Sequence, residues 1–402
     1  MSTTLPHDPN LWRPRFPILR ESVYLVNHSL GAMPEGVYGV LRNFADQWAE
    51  RGVRAWGEGW WTAPLDVGTV VGRIMNAPPG SVVMHQNVSI VQSIVGSSLD
   101  FSGRRNKVVY TDQNFPTNMY VWEGFKRDGA RIVTVASESN GVVPLERLLA
   151  AIDEETLIVP ISHVCFRNSY LQDAKAICAR AREVGAMVLL DTYQSLGTVP
   201  VDVEELGVDF VCGGSVKWLC GGPGAGYLYV RPDRLASFRP RITGWAGHVD
   251  PFAFELGEQR YAEDSMRLLH GSPAVVALLA AVPGYEAVLE VGVETIRDWS
   301  LRLNRSLCED LGDRGFSIFG PASLAQRGGT LTVELREDED GPAYVKALEQ
   351  RGILVDHRPG AGIRVSPHYY TLAEELTRFA ATMSELRETK AWREHLEQAA
   401  AY

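Results

Sequence analysis

Two charged residues stand at the ends of consecutive apolar runs. Asp191 ends "AMVLLD", and Lys217 follows "VDFVCGG", 26 residues further along. The chain writes positive charge mainly as arginine: only six of its 39 basic residues are lysines, and the other five (Lys107, Lys126, Lys175, Lys346, Lys390) sit in stretches that suit solvent. An ammonium at the end of a buried strand is costly unless it is paired or used for chemistry, because burial disfavours its charge and lowers its pKa. A lowered pKa is what a lysine needs to attack a carbonyl, since only the neutral amine is nucleophilic. The alternatives are a lysine snorkelling to solvent and an aspartate capping the turn after its strand.

Other residues in matching places narrow the chemistry. "QNVSIVQSIVGSSL" starts a helix at Asn87, Val88 and Ser89, where free amides favour an anion. Ser215 is a second candidate donor, and Phe115 in "QNFPTNMY" offers an aromatic face at a strand end, although such a residue can equally be core. A lysine for an imine, an acid for a pyridine nitrogen, a phosphate cradle and an aromatic cover are the requirements of pyridoxal 5'-phosphate (PLP). The glycines of "GGPGAG" precede a strand and not a helix, so they are no dinucleotide fingerprint.

The elements that must position these residues follow from the apolar rhythm. Between about residues 65 and 235, "KVVYT", "ARIVTVA", "TLIVPISH", "AMVLLD", "VDFVCGG" and "AGYLYV" alternate with amphipathic stretches. Short apolar runs separated by helices predict an α/β fold with a mostly parallel sheet covered on both faces, and ligands gather beyond the carboxyl ends of such strands. After residue 285 a long helical run, short strands and a charged final helix predict a smaller α+β domain. The expected organisation is an N-terminal arm and helix (1–50), a large cofactor-binding domain (51–285) and a small C-terminal domain (286–402).

Composition excludes several classes. The net charge of −10 and the lack of a basic cluster argue against nucleic acid. The longest apolar stretch, "AVVALLAAV", is too short to span a bilayer, and the N-terminus has no signal-peptide core. Five scattered cysteines without metal-ligand spacing predict reduced thiols, no metal and a cytoplasmic protein.

The chain also resembles the class V aminotransferase family of PLP enzymes, in its kynureninase-like branch. "VYLVNHSLGAMPEGV", "WGEGWW", "NFPTNMYVWEGF", "ISHVCFRNSY", "DTYQSLGTVPVDVEELGVDF", "SVKWLCGGPGAG", "TGWAGH", "RLLHGSP" and "GIRVSPHYY" carry the likeness in order. It implies a fold-type-I enzyme, homodimeric with sites at the subunit interface, acting on an L-α-amino acid. Lys217 would hold PLP and move the α-proton, Asp191 would pair with the pyridine nitrogen, and Phe115 would stack on the ring. Asn87, Val88 and Ser215 would contact the phosphate, with Trp245 and Ser272 reaching it across the dimer. Gln194 would bond the cofactor, and Arg364 would clamp the substrate carboxylate, work that suits a two-pronged donor. Asn118 and Trp60 would touch substrate, although Trp56, Trp60 and Trp61 can equally be core.

Three positions depart from kynureninases: Asn118 replaces an aspartate, Gln194 a histidine and Val216 a tyrosine. The loop before Arg364, "LVDHRPGAGIR", lacks the nucleophilic cysteine of cysteine desulfurases. The reaction expected first is therefore side-chain cleavage of the kynureninase kind, by a hydrolase or lyase. Transamination, β-elimination at a C–S bond and a silent PLP-binding regulator are the alternatives.

Overall fold

The computed structural model describes residues 7–398, so the outermost parts of the expected N-terminal arm and C-terminal domain lie outside the described residues. Near the N-terminus β1 (Val23–Tyr24) precedes helices α1 (Gly36–Arg51) and α2 (Ala63–Ile74). The main sheet has seven strands: β2 (Val82–His85), β3 (Lys107–Thr111), β4 (Arg131–Val135), β5 (Thr156–Ser162), β6 (Met187–Asp191), β7 (Phe210–Gly214) and β8 (Gly226–Val230). Their order is β2-β8-β7-β6-β5-β3-β4, and only β8 runs against its neighbours. The six apolar runs are β3 to β8; β2, written "VVMH", is the strand the periodicity left out.

Alternate residues explain those continuous runs. Val109, Leu190 and Val211 join the core on one face, while Val108, Tyr110, Leu189 and Phe210 join the core on the other. Both faces of the inner strands are covered, so their central positions are apolar without alternation. Where the apolar code ends, the polar residues stand in a row: Ser162 of β5 is in register with Asp191 of β6, and Asp191 with Cys212 of β7.

The long helical run expected after residue 285 is the end of one helix, Val275–Val291, followed by a second, Val293–Asp313. Gly292 between them has φ +83°, a left-handed conformation that glycine reaches without a Cβ clash and that ends a helix. Beyond them β9 (Leu331–Val333), β11 (Asp356–Arg358) and β12 (Gly362–Val365) form an antiparallel sheet in the order β11-β12-β9. β10 (Ile353–Leu354) pairs instead with β1, in parallel. Val23 and Leu25 consequently share a core with Leu303, Leu331, Ile363 and Phe379. Among the described residues no single helix is long and apolar enough to cross a membrane.

Candidate active site

Asp191 and Lys217 meet at the carboxyl edge of the main sheet, where β6 and β7 hand over to loops. Three close contacts fix the turn carrying Lys217: the Cys220 N–H bonds the Lys217 carbonyl at 3.0 Å, the Gly221 N–H bonds Ser215 at 2.8 Å, and the Gly31 N–H bonds Val216 at 2.6 Å. Gly31 is required by that approach, because a Cβ there would lie 2.1 Å from the Lys217 carbonyl oxygen. Gly214 likewise makes room for Tyr193, whose ring a Cβ would meet at 2.4 Å. The Lys217 ammonium lies 4.3 Å from the centre of that Tyr193 ring and 5.6 Å from the Phe115 ring.

A cavity of about 350 Å³ opens here. Asn87, Val88, Phe115, Asp191, Gln194, Lys217 and Arg364 all line it, so seven residues singled out in the sequence share one site. Asn87 caps helix α3 (Val88–Ser97), its side chain accepting the Ile90 N–H, and the Val88 and Ser89 N–H groups have no partner among the described residues. Free first-turn amides facing a cavity suit a phosphate. Phe115 directly precedes helix α4 (Pro116–Gly124), and the proline holds it in an extended conformation at the cavity wall. Gln194 donates to the His28 carbonyl at 3.0 Å and accepts from the Trp218 indole at 3.1 Å.

Electrostatics at the site follow from burial and four charged neighbours. Burial, with Arg364 next in weight, brings the Lys217 amine down to a pKa of about 7; Asp191 and Asp356 oppose the shift and Arg358 adds to it. Burial pushes the Asp191 carboxyl up, against the Tyr193 N–H, the Asn118 amide and the Lys217 charge. Arg364 grips Asp356 through Nε at 2.8 Å and Nη2 at 2.5 Å, and its Nη1 donates to the Phe166 carbonyl at 2.8 Å. Of five guanidinium N–H groups two remain, one on each terminal nitrogen. Arg358 shares Asp356 at 3.0 Å, so two arginines face one carboxylate and a single positive charge is left beside the cavity. His28 bonds Asp356 at 2.8 Å through Nε2, and burial lowers its pKa to about 4, so it adds no charge at neutral pH.

Five expected residues stand elsewhere. Ser215 is fully buried; its hydroxyl bonds the Ala225 carbonyl at 2.6 Å and the Tyr285 hydroxyl, which leaves it nothing for a phosphate. Asn118, expected against the substrate, is also fully buried and donates to Asp191 Oδ2 at 2.9 Å. Trp60 packs into core: its ring stacks on Phe44 at 4.8 Å and its indole N–H bonds Gln47, so it does not line the cavity. Trp245 and Ser272 are exposed and lie outside the cavity. Lys107, read as a surface lysine, is buried and paired with Asp153 at 2.5 Å.

Sequence reasoning missed several wall residues: His28, Ser29, Thr117, Tyr193 and Arg358. Two signals were present. The "NHSLG" loop carried the family likeness without an assigned role, and "DHRPGAGIR" sets two arginines around a turn beside one aspartate.

Comparison with known proteins gives the family and the fold. The sequence profile described as "Aminotransferase class-V" matches residues 47–380. An uncharacterized aminotransferase, YcbU, of Bacillus subtilis (strain 168) is 29% identical over 92% of this chain and 96% of its own. The kynureninase of Pseudomonas fluorescens is 28% identical over 94% of this chain and 92% of its own. Among solved structures, a cysteine desulfurase from Thermococcus onnurineus NA1 superposes with a TM-score of 0.85 at 20% identity, covering 97% of this chain and all (100%) of that one. The cystine C–S lyase C-DES gives 0.83 at 20%, covering 92% and 99%. At such identities these last two show the fold. A lysine amine, a buried carboxylate, an aromatic wall and free helix amides around one cavity fit PLP, and the matched profile takes in every lining residue from Asn87 to Arg364. The chain belongs to the class V aminotransferase family of PLP-dependent enzymes.

Proposed function

We propose that this protein acts on an L-α-amino acid and cleaves its side chain beyond the β-carbon, in the manner of a kynureninase. The observation that carries the reading is the cavity lining: no cysteine is among its residues. A desulfurase needs a thiolate there. Here Cys165, Cys212 and Cys220 are buried, with pKa values pushed up by burial, and the turn between β11 and β12 contains none. Phe115, Phe166, Val164 and Val216 give the cavity an apolar wall suited to an aryl or other bulky side chain.

In this reading PLP supplies an electron sink for charge developing at the substrate α-carbon. Asp191 holds the proton on its pyridine nitrogen, Asn87 and Val88 hold its phosphate, and Phe115 covers its ring. Gln194 offers the cofactor its second amide N–H. Lys217, with a pKa near neutrality, accepts the α-proton and returns it. The two free N–H groups of Arg364 take the substrate carboxylate in a bidentate contact, and the residual positive charge of the Arg364–Asp356–Arg358 cluster matches one carboxylate. Trp245 and Ser272 serve the partner subunit's site in a cytoplasmic homodimer. Support for that dimer comes from an exposed apolar patch around Trp245, Phe252, Phe254 and Leu256.

Purified holoenzyme incubated with a panel of amino acids, with products identified, tests the reaction. Alanine plus a carboxylic acid from the side chain supports hydrolytic cleavage. Pyruvate with a released side chain would make it an elimination, and a keto acid formed by amino transfer a transamination. Kynurenine itself is expected to be a poor substrate, because Asn118, Gln194 and Val216 replace three polar residues of that branch and leave acid–base work to Lys217 and water.

A further inference from the structure

Asp191 is backed by three fully buried residues that do not line the cavity. The Trp122 indole N–H donates to Gln92 Oε1 at 2.9 Å, Gln92 Nε2 donates to Asn118 Oδ1 at 2.7 Å, and Asn118 Nδ2 donates to Asp191 Oδ2 at 2.9 Å. The second N–H of Gln92 points to Cys212 Sγ at 3.7 Å. An indole nitrogen can only donate, so it sets the direction of the whole series. Flipping the Asn118 amide would oppose oxygen to oxygen at Asp191 and N–H to N–H at Gln92. Flipping Gln92 as well would turn its amide nitrogen on the indole N–H.

We infer that Trp122, Gln92 and Asn118 form a one-way hydrogen-bond relay that keeps a neutral donor on Asp191 Oδ2, making Asn118 a positioning residue for the cofactor's acid partner. This rests on the proposed pairing of Asp191 with the pyridine nitrogen. The Tyr193 N–H occupies Oδ1 at 2.9 Å, so each carboxylate oxygen has one fixed donor and the plane of the group is set. Two donors favour the ionised form against the burial that disfavours it. The relay carries no ionisable group of its own, so Asp191 titrates without a second carboxylate beside it. An aspartate at position 118 would lie within hydrogen-bond distance of Asp191, and the two would share a proton.

The test uses apo-protein and PLP, with three readouts: equilibrium PLP binding by quenching of protein fluorescence, the pH profile of the bound cofactor's visible absorbance, and the melting temperature of the apo-protein. Gln92→Glu reverses the relay, because the new carboxylate accepts from both Trp122 and Asn118 and turns the Asn118 oxygen toward Asp191. Its PLP affinity is expected to fall by about tenfold or more, the scale of one charge-assisted hydrogen bond. The absorbance profile should shift with it. Asn118→Leu, near in shape and without the donor, should lose about the same affinity, and it stands in if Gln92→Glu does not fold. Wild-type affinity and profile in a folded Asn118→Leu protein would overturn the relay, as would losses that track melting temperature alone. Asp191→Asn separates the two levels: unchanged PLP binding there refutes the Asp191 pairing itself, whereas a loss there with none in Asn118→Leu refutes only the relay.

Discussion

A pKa of about 7 for Lys217 makes a quantitative prediction that needs no substrate. An ordinary lysine titrates near 10.4, so at pH 7 roughly one in 2,500 of its side chains is neutral, against about half for Lys217. The assay is trace labelling of the apo-protein with an amine-reactive anhydride across pH, followed by mass spectrometry of the Lys217 peptide. Lys175 is the internal reference, being exposed and paired with Glu205. Labelling of Lys217 should rise with a midpoint near pH 7, some three units below an unperturbed lysine. Arg364→Gln removes the charge that most depresses the amine and should move the midpoint upward, with Arg358→Gln producing a smaller shift in the same direction. Asp191→Asn removes the opposing negative charge and should move it downward. The midpoint, and not the absolute rate, is the observable, so limited access to a partly buried amine does not enter. A midpoint near pH 10 in wild type, or no response to either arginine, refutes the electrostatic reading of the site.

Three further expectations concern the rest of the molecule. His28 is held neutral with a pKa lowered to about 4, so folded stability should be full above about pH 6.5 and fall as the unfolded chain takes up its proton on acidification toward pH 4. The size is on the order of 3 kcal/mol, and chemical denaturation of His28→Gln should show a flatter profile in that window. Trp60→Ala opens a hole against Phe44 and should cost about 3–5 kcal/mol of stability while leaving substrate KM unchanged in protein that remains folded, and an altered KM would return Trp60 to the site. Phe254→Ser with Leu256→Ser polarises the exposed patch and should weaken the proposed dimer, read as a concentration-dependent shift in sedimentation; an active wild-type monomer would exclude shared sites.

Much of the site was legible because one rule links sequence to space in an α/β sheet: strands end where the apolar code ends. Asp191 and Lys217 were found that way, and their adjacency followed from neighbouring strands. Side-chain direction is not encoded so locally. Ser215, two residues before Lys217, turns to Tyr285, seventy positions away. Asn118 sits on a helix whose inner face meets Asp191, a relation set by how α4 packs and not by any spacing in the chain. β2 escaped notice because four residues give too short a run, although burial makes all four apolar or partnered by the sheet. The break at Gly292 turned on a single residue inside an otherwise continuous helical pattern.

The pairing of the first strand with the C-terminal sheet has a consequence for biosynthesis. Asn27 donates to the Ser366 carbonyl at 2.6 Å, and His28 bonds the Ser366 hydroxyl through both its main chain and its ring. The loop crossing the Lys217 turn is therefore anchored to a residue translated 338 positions later. At about 5–20 residues per second, that loop waits roughly 17–70 seconds on the ribosome before its anchor exists. A nascent chain halted between residues 230 and 366 holds all seven strands of the main sheet but cannot close the wall that carries His28 and Ser29. Competence to bind substrate is thus acquired at the very end of synthesis, and C-terminally truncated products would be folded in part and silent.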